Sequence, residues 1–368
     1  MLRGLAVALM VLDHVRVFAG VPAGGATAAL FFTRWVTHYC APAFVFLAGA
    51  SAYHYGRAHR DLPRFLVTRG LWLIVLEATV VRLAWTFNLD FGGHALAGVL
   101  WMLGVSMIAL AALTWLPVWA VGALGLAIIA GHDVLDGQVA AADGPIAWWW
   151  KLLYVGFLAG PIEVAGGPHI QVLYSIVPWV GVMAAGYGFG AILAHPRRDR
   201  CVVIGACAIA LFVVLRWRDG YGDPWPRAGS SKPGYLAFLD VTKYPASLDF
   251  LLLTLGPLLV AVPFAERARG AISRWLATLG RVPLFFYLLH LPLVHGLAVV
   301  VSWLRAGAIE PWLFANHPMD AGRQPAGYAW SLPLLYAITA LALVVLTLAC
   351  HRYAAYKQRH LDGWLRYV

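Results

Sequence analysis

PLFFYLLHLPLVHGLAVVVSWL, residues 283–304, runs for 22 residues without an Asp, Glu, Lys or Arg. As an α-helix it would be about 33 Å long at 1.5 Å per residue, enough to cross a hydrocarbon core of about 30 Å. Arg281 stands just before it and Arg305 just after it. The stretch therefore reads as a membrane-spanning helix. Outward along the chain, nine more predominantly apolar segments read as spans, some of them carrying charged residues: 3–20, 39–56, 65–87, 96–114, 116–132, 171–194, 200–217, 246–265 and 330–350. The expected fold class is all-α, a polytopic integral membrane protein of about ten transmembrane helices.

Composition agrees. The chain is 61% hydrophobic and 12% charged, with a mean hydropathy of +0.74. Soluble domains carry about 25% charged residues, and no single core of 368 residues hides this much apolar surface. The chain has 17 Trp and 15 Tyr, rings that favour the headgroup level, and Trp35, Trp72, Trp217, Trp303 and Trp330 fall at or near span ends. Two further apolar pieces are too short to span. PIAWWWKLLYVGFLAG (145–160) carries Lys151 and reads as interfacial or re-entrant, and TAALFFTRWVTH (27–38) as a short helix at the surface.

The net charge of +10 is not a nucleic-acid signal, because the cations sit in short loops between spans. When loops are assigned to alternate sides, 16 of the 27 Lys and Arg fall on one side and nine on the other, with Arg16 and Arg82 inside spans. The richer side is expected to be cytoplasmic and to hold both termini. The longer loops, 133–170, 218–245 and 305–329, then face outward and offer room for an acceptor site. No repeat, low-complexity tract or linker divides the chain, so one domain over 1–368 is expected. Cys40, Cys201, Cys207 and Cys350 have no CxxC spacing and read as small apolar fillers. No metal site is expected, since no His/Asp/Glu pair falls at ligand spacing on one helix face. The order MLR, apolar run, AGGATAA also fits a cleaved signal peptide. Asp13, His14 and Arg16 between run and cleavage region favour a retained span.

Those residues make MLRGLAVALMVLDHVR (1–16) the stretch richest in chemistry. An ionisable group at bilayer depth costs about 2.5–3.5 kcal/mol on the insertion scale, so such groups are functional candidates. Arg3 and His14 are 11 positions apart, which on a helix puts them within about 20° of each other and about 16 Å apart along the axis. Arg3 also serves as an ordinary topology charge. Asp13 and Arg16, at i and i+3, form a structural ion pair. His14 is the natural general base, because imidazole titrates near neutrality.

RGLAVALMVLDHVR (3–16) and FFTRWVTHYCAPAFVFLAGASAY (31–53) resemble the heparan-alpha-glucosaminide N-acetyltransferase-like bacterial membrane proteins. PWVGVMAAGYGFG (178–190), KYPASLDFLLLTLGP (243–257) and GRVPLFFYLLHLPLVHG (280–296) extend the resemblance over most of the chain. Arg3-x10-His14 is also similar to the Arg-x10-His motif of the wider transmembrane acyltransferases. The resemblance implies acyl transfer across a bacterial inner membrane, from acetyl-CoA or another acyl-CoA to a sugar amine or hydroxyl. It implies a catalytic role for His14 and a donor-facing role for Arg3. Met1 and Leu2 stand where the family usually carries an Asp ahead of its RG. No His in 21–37 matches the loop histidine of the lysosomal enzyme, so His14 has to take that role and the acceptor is not inherited.

The mechanism that follows has neutral His14 removing a proton from the acceptor, or carrying the acyl group as an acyl-imidazole. Arg34, His38 or Lys243 could steady the oxyanion. Lys243, Tyr244, Ser247 and Asp249 cluster where the 218–245 loop enters a span, as a binding set or as interfacial anchors. Arg281 stands on the side expected to meet CoA phosphates, or is another topology charge. His290 lies about 13 Å along the helix from it, a second Arg-below-His arrangement. Glu77 and Arg82 share no face and require partners on other helices. GYGFG (186–190) follows no strand and reads as small residues for close helix packing. Lipid and a glycan or small-molecule acceptor are the expected partners, nucleic acid is not, and a homo-oligomer is compatible with the chain. The rival classes are a proton-coupled secondary transporter of a small polar solute, and a non-catalytic lipid- or glycan-binding scaffold. Transporters often show matching halves, and none is visible here.

Overall fold

The computed structural model describes residues 1–23, 27–137, 146–194, 199–223, 230, 232–315 and 324–360. Within them the chain is mostly helical. In order the helices are α1 (Leu2–Phe18), α2 (Ala28–Trp35), α3 (Cys40–Ala58), α4 (Leu62–Leu76), α5 (Arg82–Thr86), α6 (Val99–Leu113) and α7 (Val118–Gly131). They continue as α8 (Ile176–Leu193), α9 (Asp199–Arg218), α10 (Gly234–Leu239), α11 (Leu248–Arg267), α12 (Ala271–Arg281), α13 (Pro283–Ala306) and α14 (Leu332–Arg359). Each of the ten expected spans is occupied by helix. Among the described residues, six helical stretches are long and apolar enough to cross a membrane: 118–135, 176–193, 199–218, 248–267, 283–306 and 332–359. The apolar helix α6, at 15 residues, is shorter than a straight crossing requires.

Local chemistry sets the boundaries. Thr27 caps α2 by accepting from the Leu30 N–H, and proline near the first turn opens α4, α13 and α14, where a missing N–H costs nothing. Gly307, at φ 70°, closes α13. The segment 65–87 is not one regular helix. Its middle, Glu77–Val81, widens into π-type turns before α5 resumes. Glu77 is buried there, and its Oε2 accepts from the N–H groups of Leu100 (2.7 Å) and Trp101 (3.3 Å), capping α6. Arg82 is buried too and donates to the carbonyls of Asn88 (2.6 Å), Asp90 and His94, caging the loop that follows. Glu77 thus finds the expected partners on another helix, whereas Arg82 is held by carbonyls of the segment that follows it and by Thr86 Oγ1 (3.1 Å) on its own helix, not by another helix.

Two elements were hidden in the hydropathy pattern. A small sheet of β1 (His94–Ala97), β2 (Ile162–Glu163) and β3 (His169–Val172) has the order β1-β3-β2, with Ile162 opposite Ile170 in its antiparallel pair. Helix α12 occupies what reads in sequence as a cationic loop. The 145–160 piece begins as a short helical turn (Trp148–Trp150) and continues in π and 3-10 turns to Ala159.

Contacts divide the chain into two units. The first comprises Met1–Cys40, Thr79–His94 and Ala265–Val368, and in it α1 packs on α12, α13 and α14. The second comprises Ala41–Ala78 and Ala95–Phe264 and contains the pairs α4–α6 and α7–α8. GYGFG behaves as expected from its small residues. Gly186 lies against the Phe46 carbonyl, Gly188 against Gly122, and a Cβ on Gly190 would stand 2.6 Å from the Tyr53 Cβ.

Candidate active site

Eight of the predicted residues belong to the first unit: Arg3, Asp13, His14 and Arg16 on α1, Arg34 on α2, His38 in the turn after it, Arg281 at the end of α12, and His290 on α13. At one end α1 and α12 approach backbone to backbone. Gly4 faces the Leu276 carbonyl with no room for a side chain. A Cβ on Gly280 would stand 3.0 Å from the Gly4 nitrogen and 3.4 Å from the Arg3 Cβ. Arg3 therefore lies beside the Gly280–Arg281 terminus of α12, and the two predicted donor-side arginines share one corner.

Further along α1 the expected Asp13–Arg16 pair is present, with Arg16 Nη2 3.1 Å from Asp13 Oδ1. Arg34 joins it from α2, its Nη1 3.1 Å from Asp13 Oδ2 and 3.0 Å from Thr37 Oγ1. Arg16 also donates to the Val21 carbonyl at 2.8 Å. One carboxylate thus ties together α1, the chain after it and α2. Arg34, offered by the sequence as an oxyanion donor, is held instead as a counter-charge of Asp13. His38 is buried close by in sequence, in the turn after α2.

The decisive contact is on the next residue. His14 Nδ1 lies 2.6 Å from His290 Nε2, joining α1 to α13. The two rings are inclined at 23° with centroids 4.8 Å apart, so they meet edge to edge through these nitrogens, and Trp85 of α5 packs against His14 at 77°, centroids 5.0 Å apart. His290 is fully buried, and its Nδ1 is 2.5 Å from the Tyr287 carbonyl. One turn beyond, His295 is buried between Phe18 and Phe87, its Nδ1 3.0 Å from the Ala84 carbonyl. Trp85 and His295 were not singled out in the sequence. The signals available were a Trp ahead of the Phe87 turn and a second histidine in an otherwise apolar span.

Lys243, Tyr244 and Asp249 belong to the second unit and pack among its own residues. The Lys243 ammonium lies 5.2 Å from the Tyr244 ring centre and 5.8 Å from that of Tyr174. Asp249 is 3.9 Å from Arg216, whose guanidinium donates to the carbonyls of Ala237, Phe238 and Asp240 at the end of α10. This arrangement makes Asp249 a counter-charge and Arg216 a helix-end clamp.

The second unit also holds a cavity of about 670 Å³ lined by Asp133, Asp136, Tyr154, Tyr221 and Asp223 among others. Sequence reasoning did not find it. Its carboxylates already have partners. Asp133 accepts from the Leu248 N–H at the start of α11, Asp223 from Thr242, and Asp136 from the Tyr154 hydroxyl at 2.5 Å. Burial, opposed in part by the Tyr154 bond, raises the Asp136 carboxyl above its ordinary range. Burial and the bond to Asp136 raise the Tyr154 phenol.

The family model for heparan-alpha-glucosaminide N-acetyltransferase, catalytic, matches residues 1–217. The chain belongs to this family. The match includes Arg3, the Asp13–Arg16–Arg34 network and His14; Arg281 and His290 lie beyond it. Comparison with curated proteins gives no match. Membership of the heparan-alpha-glucosaminide N-acetyltransferase family, together with the apolar helices, makes the protein a membrane acyltransferase, and gives the transporter reading no support.

Proposed function

We propose that this protein transfers an acetyl group from cytosolic acetyl-CoA to an amine or hydroxyl of an extracytoplasmic sugar, at a bacterial inner membrane, with His14 as the general base. The carrying observation is the placement of His14. It lies within the family match, 11 residues from Arg3 on one helix, and is held by a second histidine at 2.6 Å. On that helix the two side chains are about 16 Å apart, a span suited to an extended donor entering at the Arg3–Arg281 corner.

The chemistry balances simply. His14 takes the proton from the acceptor N–H or O–H as its heteroatom bonds to the thioester carbonyl carbon. The tetrahedral adduct collapses, the carbon–sulfur bond breaks, and the CoA thiolate leaves and receives the proton from His14. Cationic Arg3 and Arg281 complement the donor's phosphates. The Asp13 network fixes the part of α1 that carries His14.

The test is transfer in liposomes containing the purified protein, given labelled acetyl-CoA outside and an amino-sugar pool within. Labelled product should form, and His14→Ala should reduce it by about 100-fold or more, the range for a positioned base. CoA release unaffected by His14→Ala would overturn the proposal.

A further inference from the structure

The hydrogen bonds around His290 fix which nitrogen of His14 carries its proton. A backbone carbonyl only accepts, so His290 Nδ1, 2.5 Å from the Tyr287 carbonyl, must bear hydrogen. His290 is 0% exposed, and its neighbours are the rings of Phe286, Tyr287 and His14. Among the described residues no carboxylate faces His290, and a charged imidazolium there would be buried without a counter-charge, so the ring is neutral and has one N–H. Its Nε2 is therefore a lone-pair acceptor. The group facing it, His14 Nδ1, must then be the donor.

We infer that His290 is a positioning residue that holds His14 in its Nδ1–H tautomer and so makes Nε2 the basic atom. This rests on the acetyltransferase reading only for its consequence in catalysis. When His14 Nε2 takes the acceptor's proton, the new imidazolium still donates Nδ1–H to His290 Nε2, and that lone pair shares the charge. When Nε2 returns the proton to the departing thiolate, both rings are neutral again. His290 passes no proton onward, because its own N–H ends on a carbonyl. It does the work a carboxylate does behind a soluble enzyme's histidine, without burying a permanent negative charge in the membrane. Trp85, edge-on to His14, limits the ring's rotation away from this pairing.

The experiment uses the full chain in detergent micelles with ¹⁵N-labelled histidine at pH 8. The His14 signal is assigned by its loss in His14→Gln. In the wild type His14 is expected as Nδ1–H with an unprotonated Nε2. His290→Leu should shift it to the Nε2–H tautomer and lower kcat for acetyl transfer by about 100-fold, with the acceptor KM changed less than about twofold. His290→Gln, whose side-chain oxygen can accept from Nδ1–H, should restore the tautomer and about a tenth of the rate. An Nε2–H tautomer in the wild type, or a tautomer and kcat unchanged in His290→Leu, would overturn the inference. The assigned tautomer in a protein that transfers no acetyl group would support the pairing and remove the acetyltransferase reading instead.

Discussion

Gly4 of α1 lies directly against the backbone carbonyl of Leu276 in α12, a contact between residues 272 positions apart in a chain of 368. The Arg3-Gly4 step therefore has two separate physical roles. The arginine supplies charge, and the glycine lets an amphipathic helix touch the start of α1.

Gly4→Ala should disturb this crossing. A methyl group would overlap the Leu276 carbonyl, and neither helix backbone can yield cheaply. The expected cost is about 1–3 kcal/mol, the usual range for overpacking. Thermal unfolding in detergent should show it, and Arg3→Ala, which leaves the crossing intact, should cost less. Equal stability of Gly4→Ala and wild type would mean that the helices separate freely.

Asp13 is the shared partner of Arg16 and Arg34, with side-chain exposures of 15%, 8% and 11% respectively. Removing the shared carboxylate leaves two largely buried cations without it. Asp13→Ala should therefore destabilise by about 3 kcal/mol, as breaking buried pairs does. Arg34→Ala should cost less, since Arg16 still neutralises Asp13. A double-mutant cycle between positions 13 and 34 measures the coupling, and a value near zero would dismiss the network as incidental.

How much of this could be read in the sequence depends on range. Hydropathy located apolar segments that fold largely as helix, six of them long enough among the described residues to cross a membrane, since a span announces itself locally. The Asp13–Arg16 pair was legible because i and i+3 share a helix face. The His14–His290 contact was not, because periodicity orients a residue on its own helix and says nothing about which helix lies opposite. Helix α12 escaped for a different reason: Arg267, Arg269, Arg274 and Arg281 made 267–281 look like a charged loop, while Leu276 and Leu279 buried its other face. Lys243 and Asp249 stood out in the sequence as part of a polar cluster at the entrance to a span. Their partners, two tyrosine rings and Arg216, give them structural work in the second unit.

Glu77 separates a charge effect from a hydrogen-bond effect. Its Oε2 caps α6 through Leu100 and Trp101, and a Gln oxygen would do the same. Glu77→Gln should leave stability within about 1 kcal/mol of wild type, whereas Glu77→Leu should lose about 1–3 kcal/mol by stranding buried N–H groups. Chemical unfolding of the three proteins in mixed micelles compares them. If Gln proves as damaging as Leu, the negative charge rather than the cap is what the fold requires.

Tyr328 gives a stability signature in alkali. Its hydroxyl donates to the Phe18 carbonyl at 2.9 Å, and burial pushes its pKa up to about 12 from the ordinary 10.0. Below pH 10 both folded and unfolded chains hold this proton, and its contribution to stability is fully present. Between pH 10 and 12 only the unfolded chain releases it, which draws the equilibrium toward unfolding. The loss amounts to roughly 2 kcal/mol across that window. Tyr328→Phe should be about 1 kcal/mol less stable at pH 8, having lost the hydrogen bond, yet should decline less steeply above pH 10. Reversible unfolding followed from pH 8 to 12 in both proteins tests the sign directly. Parallel curves would show that the folded protein releases the Tyr328 proton as readily as the unfolded chain does.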